Sequence, residues 1–357
     1  MTGPQPFRRP AIDLAGAQLE AFLVTGAANV RYLTGFTGSN GVVLVTPAGA
    51  VFFTDPRYEI QSAQQVACRV QVVRKGGLLP AVAAYAAKRQ IRALGFEKDH
   101  FSYQQHQYLS TALPRAGLKP VEDVVLKQRM VKTDAEIALI RHSVLTNSNA
   151  FARAISTIKS GVTESETAAE IEYQMRKFGA DRPSFETIVA FGSRTALPHA
   201  HPGPRALRPN ELVLIDMGSS QEGYASDMTR VLHLGRIPRK TERMYRAVLE
   251  AQLAGLDAVR AGVTAGSVDR AARQVLKKHG LDHAFTHSTG HGLGLEIHEP
   301  PRLGKGDKTR LEAGMAITIE PGAYLEDYGG IRIEDTVVVT PSGCEVLTPT
   351  SKELIAH

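Results

Sequence analysis

Up to about residue 127 the chain alternates short apolar runs with amphipathic stretches. AFLVTG, GVVLVT, AVFFTD, RVQVV and IRALGFE are apolar or β-branched and bounded by Gly, Pro or Asp, the pattern of strands. GVVLVTPAGAVFFTD reads as a hairpin turning at Pro47-Ala48-Gly49. Leu78–Lys88 has helical periodicity between two strands, so residues 1–127 are expected to form a small α/β domain. GFTGSNG at 35–41 lacks the GK[ST] ending of a phosphate loop and reads as a turn before a strand. Asp55-Pro56-Arg57-Tyr58 closes a strand and reads as a solvated strand end.

The pattern changes at LKQRMVKTDAE. Thr133 and Glu136 have the spacing of a capping box, in which each side chain satisfies a backbone N–H that the other leaves open. Behind them Ile137, Ile140, Val144, Phe151, Ile155 and Ile158 fall on one helical face, predicting a long helix over 134–158 that begins a second domain, residues 132–357. That domain repeats itself. IKSGVT and VRAGVT each stand before a helix, and KFG and KHG close those helices. An offset of 101 residues separates Gly161 from Gly262, and the same offset separates Gly179 from Gly280. A helix precedes each repeat, 134–158 and then 245–259, where Tyr245, Leu249, Leu253 and Leu256 share a face. After each repeat an apolar run ends in a carboxylate with a glycine two residues on: Asp216/Gly218 and Glu320/Gly322. Two such halves about a pseudo-twofold axis would bring those strand ends together.

The chemistry follows from what would meet there. Asp216 and Asp227 belong to one half, Glu320 and Glu334 to the other, and HSTGHGLGLEIHEP adds His287, His291 and His298. Alternation along 212–216 puts Asp216 on the Leu212/Leu214 face, in packed surroundings. Ionised carboxylates gathered in a low-dielectric site repel by on the order of several kcal/mol per pair. Two divalent cations would balance four carboxylates and leave neutral His291 as a fifth ligand. Five protein ligands exceed what one tetrahedral zinc uses, and a carboxylate-rich set suits Mn²⁺ or Co²⁺ as well as Zn²⁺. Two metals that acidify a water make a hydrolase site.

Composition narrows the class. A chain of 357 residues, 43% hydrophobic and 22% charged, suits two globular domains. The net charge of +6 comes from scattered basic residues without interleaved aromatics, which argues against nucleic acid as a partner. Cys68 and Cys344 are the only cysteines, too few for a disulfide framework. No apolar run approaches the roughly 18 residues of a membrane span, and MTGPQPFRRP has no apolar core behind its arginines. A cytoplasmic protein without membrane partners is expected.

LIDMG with SDMTR, HSTGHGLGLEIHE, TIEPGAY and GGIRIED resemble the family of methionine aminopeptidase, prolidase, aminopeptidase P and creatinase. NVRYLTGFTGS and FTDPRY resemble that family's creatinase-type N-terminal domain, which places the chain on the proline-peptidase branch. The resemblance implies a creatinase-like N-terminal α/β domain and a pseudo-symmetric pita-bread C-terminal catalytic domain. It implies two metals, Mn²⁺ favoured over Co²⁺ or Zn²⁺, held by Asp216, Asp227, His291, Glu320 and Glu334, with Asp227 and Glu334 bridging. Glu320 would accept the water's proton, His199 of TALPHAHP would meet the substrate near the scissile bond, and His298 would stabilise the tetrahedral intermediate. His287 and Arg332, assisted by Tyr324, would line the proline side of the pocket. His201, two residues from His199, competes with it for its role; His199 is favoured because it follows Leu-Pro. The expected activity is removal of the N-terminal residue from X-Pro peptides in the manner of aminopeptidase P. The alternatives are prolidase, acting on X-Pro dipeptides, and a non-catalytic binding protein of the same fold. Members are commonly homodimers, so Arg57 or Tyr58 are candidate contacts to a partner's site.

Overall fold

The computed structural model describes residues 8, 10 and 12–356, and the chain divides into two compact units, Met1–Arg129 and Met130–His357. The first unit holds a six-stranded mixed sheet. Its central strand, Ala21–Val24, pairs antiparallel with Gly41–Thr46 and parallel with Ala93–Glu97. The hairpin forms as the alternation predicts, with a tighter turn: Thr46 pairs with Gly49, leaving only Pro47-Ala48 at the tip. Phe22, Val43, Phe52 and Leu33 fill one face, and Leu23, Leu44, Phe53 and Val82 the other. AANVRYLT, which overlaps the start of NVRYLTGFTGS, is a helix over Ala27–Thr34, which periodicity did not reveal. It ends at Gly35, whose φ of 74° is the left-handed conformation glycine adopts freely.

The second unit contains the two halves of the repeat. Each half runs helix, helix, then antiparallel strands. The first comprises Asp134–Ala154, Glu164–Lys177 and the strands Ile188–Phe191, Leu212–Met217 and Met228–His233. The second comprises Arg239–Ala258, Ala265–Lys278 and the strands Gly290–Gly292, Ala316–Ile319 and Asp335–Val339. The Thr133–Glu136 capping box is present, and Ile140, Val144, Phe151 and Ile158 are buried. The α-helix ends at Ala154 and continues as a 3-10 turn, Ile155–Thr157.

The other long helix departs from expectation at its start and in its face. It begins at Arg239, six residues before Tyr245, with Pro238 at its N-cap. Leu253, assigned to the packed face, is 43% exposed. The buried stripe is Met244, Tyr245, Val248, Ala251, Gln252 and Gly255. Gly255 explains the rotation, because a Cβ there would stand 2.9 Å from Ile319 Cγ2. The helix therefore sits directly on the strand that leads to Glu320.

Candidate metal centre

The two central hairpins deliver the acids. Asp216 lies on the Leu212–Met217 strand, opposite Thr229 on its partner strand. Glu320 follows the Ala316–Ile319 strand. Asp227 and Glu334 are not inside the return strands. Each occupies an irregular position just before one, Met228–His233 and Asp335–Val339. The departure frees the side chain from strict alternation and aims it inward. Thr229 and Thr336 each lie two residues after one of these acids, and they cross-tie the halves. Thr229 Oγ1 donates to Glu334 Oε2 at 2.7 Å, and Thr336 Oγ1 to the Asp227 carbonyl at 2.9 Å.

One ligand atom from each of Asp227, His291 and Glu334 lies within 4.8 Å of the others. His291 Nε2 is 3.5 Å from Asp227 Oδ2 and 3.5 Å from Glu320 Oε1, while its Nδ1 faces the Gly292 carbonyl at 3.0 Å. With Nδ1–H so bound, Nε2 presents its lone pair to the carboxylates. Asp216 Oδ2 accepts from Arg332 at 2.5 Å.

The site carries a charge deficit. Burial, and then the charge of Asp216, pushes the Asp227 carboxyl well above the usual range. Burial, followed by Asp227, does the same to Glu334, and burial raises Glu320. Among the described residues, Asp216 Oδ1, Asp227 Oδ1 and Glu334 Oε1 are buried without a hydrogen-bond partner. Buried carboxylate oxygens without donors are unfavourable unless a cation or proton compensates them. Orphaned oxygens on three acids, converging with an oriented imidazole, fit divalent metal ligation.

The acids open into a cavity of about 850 Å³. Asp216, Asp227, His291, Glu320 and Glu334 line it, together with His199, His201, His287, His298 and Arg332. Tyr324 is not among the lining residues. Its hydroxyl sits behind them, 2.8 Å from His287 Nε2 and accepting from Arg332 Nη1 at 2.7 Å. Burial, then the Arg332 charge, lowers the His287 pKa to about 3, so this imidazole is neutral. Burial also raises the Tyr324 hydroxyl to about 12. Burial would lower the Arg332 pKa, but Tyr324, Asp216, Glu320 and Glu334 more than reverse that, so it stays charged. His298 is lowered by burial and then by His291, whose ring centroid is 4.5 Å away. The two rival histidines both reach the cavity, but His201 also pairs with Glu186 at 3.2 Å on the exposed rim.

Several supporting residues were not singled out in the sequence. Thr318 Oγ1 accepts from the His291 N–H at 3.1 Å and donates to Glu320 Oε1 at 3.3 Å. Arg230 donates to the Glu334 carbonyl at 2.5 Å and to Asp335 Oδ1 at 2.8 Å. Buried Asp269 accepts from Thr289 Oγ1 at 2.8 Å and from Arg273 Nε at 2.8 Å. Arg273 in turn donates to the His287 carbonyl. The threonines had a signal, their fixed spacing from the acids; the others depend on contacts between distant segments.

A repeated helix–helix–hairpin fold with carboxylates and a histidine at its centre has the donor set of a metal-dependent hydrolase. Residues 138–341 match the model of metallopeptidase family M24, and residues 13–131 match that of the creatinase/prolidase N-terminal domain. The chain belongs to metallopeptidase family M24, on its proline-peptidase branch, with the creatinase-like and pita-bread architecture that the motifs implied. It is similar to the solved Xaa-Pro dipeptidase from Bacillus anthracis, with 39% identity, a TM-score of 0.93, and 96% of this chain and 97% of that one covered. An X-Pro aminopeptidase structure from Thermotoga maritima has 34% identity and a TM-score of 0.90, covering 95% and 98%. The Xaa-Pro dipeptidase of Pyrococcus horikoshii is 36% identical over 339 residues, covering 94% of this chain and 95% of the relative. No helix among the described residues is long and apolar enough to cross a membrane.

Proposed function

We propose that the protein is an Xaa-Pro dipeptidase that uses two divalent cations, with Mn²⁺ favoured. The motifs had favoured aminopeptidase P. The named relatives support the dipeptidase alternative better, although an X-Pro aminopeptidase also shares the fold. The observation that carries the reading is the position of the convergent acids. They lie on the wall of a cavity that also presents Arg302, a cation suited to the free carboxylate of a dipeptide.

Asp216, Asp227, His291, Glu320 and Glu334 would hold the cations. The chemistry such cations supply when bound is polarisation of the scissile carbonyl and acidification of a water. Glu320, on the cavity wall with its Oε1 3.5 Å from His291 Nε2, would take the water's proton. His298, its pKa lowered, offers a neutral ring N–H to developing negative charge. His199 meets the substrate near the scissile bond. His287 and Arg332 form the proline side of the pocket, kept in place by Tyr324 behind them. A neutral imidazole beside an apolar ring avoids burying a second cation there. An X–Pro bond has no amide N–H and a fixed φ, so a site that grips the ring needs no donor from that nitrogen. Residues 1–127 and 132–357 would then be the N-terminal and catalytic domains.

The test compares an X-Pro dipeptide with an X-Pro-Y tripeptide on metal-stripped protein supplied with Mn²⁺. Preferential dipeptide cleavage supports the proposal. Faster release of X from the tripeptide would restore aminopeptidase P, and no metal-dependent cleavage of either would sink the peptidase reading.

A further inference from the structure

Segment 192–203 brings His199 and His201 to the cavity. It starts with a 3-10 turn, Gly192–Ala196, and has no regular structure beyond it. His199 itself is exposed, so its own packing does not fix its position. The loop is held instead by Glu164, the first residue of the Glu164–Lys177 helix, whose side chain is 0% exposed. Its Oε1 accepts the Phe191 N–H at 2.9 Å and Arg194 Nε at 3.0 Å. Its Oε2 accepts Arg194 Nε at 3.1 Å and the Gly203 N–H at 3.1 Å. Arg194 Nη2 then donates to the His201 carbonyl at 2.7 Å. One carboxylate ties both ends of the loop, and the guanidinium it holds ties the stretch around the histidines.

The internal repeat shows that the helix start does not need this carboxylate. Thr163 bridges to Ala206, and its counterpart Thr264 bridges to Arg310. The N–H groups of Glu164 and Ser165 reach the Arg205 and Gly203 carbonyls. Those of Ala265 and Gly266 reach Thr309 and Asp307 in the same way. Glu164 therefore corresponds to Ala265, which is also fully buried. Burying an ion is unfavourable unless it is paired and hydrogen-bonded. The half that accepts this burden is the half whose loop carries His199.

We propose that Glu164 and Arg194 are positioning residues that hold His199 against the cavity wall, where it meets the substrate. The substrate part rests on the Xaa-Pro reading; the clamp itself does not. Glu164→Gln keeps the shape but turns one acceptor into a donor, so a backbone N–H at one end of the loop loses its partner. Arg194→Gln leaves Glu164 and its two backbone bonds intact. Amide exchange across 192–203 and kcat/KM on an X-Pro dipeptide would be measured for both variants, each with and without His199→Ala.

Both variants should accelerate exchange across the loop and lower kcat/KM by roughly ten- to a hundred-fold, at unchanged metal content. In the His199→Ala background the same changes should cost less than about two-fold, because the clamp acts through that side chain. A purely structural role would give additive losses. Additive losses, or loop exchange unchanged in both variants, would overturn the proposal. Should Glu164→Gln not fold, Arg194→Gln still supplies both readouts. A wild-type protein inert on Xaa-Pro substrates would sink the substrate reading alone. Exchange would then decide the clamp, acceleration supporting it and no change overturning it.

Discussion

Arg230→Met should destabilise the catalytic unit by about 3–5 kcal/mol, the range for breaking a buried ion pair by removing one partner. The Arg230 and Asp335 side chains are 3% and 0% exposed. Arg230 Nη2 donates to Asp335 Oδ1 at 2.8 Å and to the Thr350 carbonyl at 2.7 Å. Nη1 serves the Thr229 carbonyl at 2.9 Å and that of Glu334 at 2.5 Å, and Nε serves Ser351 at 2.9 Å. Methionine fills much of the same space, so the loss is electrostatic and not a cavity. Two effects oppose each other within the range. Asp335 Oδ2 keeps Lys352 at 2.7 Å and Gln252 at 2.8 Å, which softens the loss. Four backbone carbonyls lose a donor, at about 1 kcal/mol each where water cannot replace it. Lys352→Met is the control. Its side chain is 23% exposed and Arg230 still faces Asp335, so about 1 kcal/mol is expected. Urea unfolding would be followed in chelator, so that bound metal does not add its own stabilisation. A loss below about 1 kcal/mol for Arg230→Met, or an equal loss for Lys352→Met, would refute the reasoning.

Thr229→Val removes the hydroxyl that donates to Glu334 and accepts from Arg332 Nε at 3.0 Å. Titration should show metal affinity falling about 10–100-fold, as for other groups that orient ligands, while the fold persists by circular dichroism. Burial raises the Cys68 thiol to about 11 and also raises Cys344. Iodoacetamide labelling of native protein at pH 8 should therefore be slow at both, quickening in urea; rapid native labelling would contradict this. Burial moves the Tyr245 hydroxyl up to about 12, against about 10 in an unfolded chain. Because the folded pKa is the higher one, its contribution is complete below about pH 10 and is lost as pH rises through about 12. Tyr245→Phe should flatten the stability profile in that window, and a profile as steep as wild type would refute the assignment.

Much of the site was legible because the repeat and the ligand pattern are local. Each acid closes or adjoins an apolar run, His291 stands between two glycines, and the 101-residue offset places the halves in register. The hairpins and the Thr133 cap were equally readable, since turn residues and capping boxes act over a few positions. Other features were decided between distant segments. The face of the Arg239–Ala258 helix was set by Gly255 closing on Ile319. Tyr324 falls behind the cavity wall because Arg332 and His287 take its hydroxyl. Arg230 follows Asp227 by three residues, yet its partner lies 105 positions away, and Glu164 reaches 39 positions to Gly203. Periodicity and motif spacing determine which residues can be ligands and roughly where strands end. Which buried charge meets which is chosen only when packing removes water, because an unpaired ion then becomes too costly to leave.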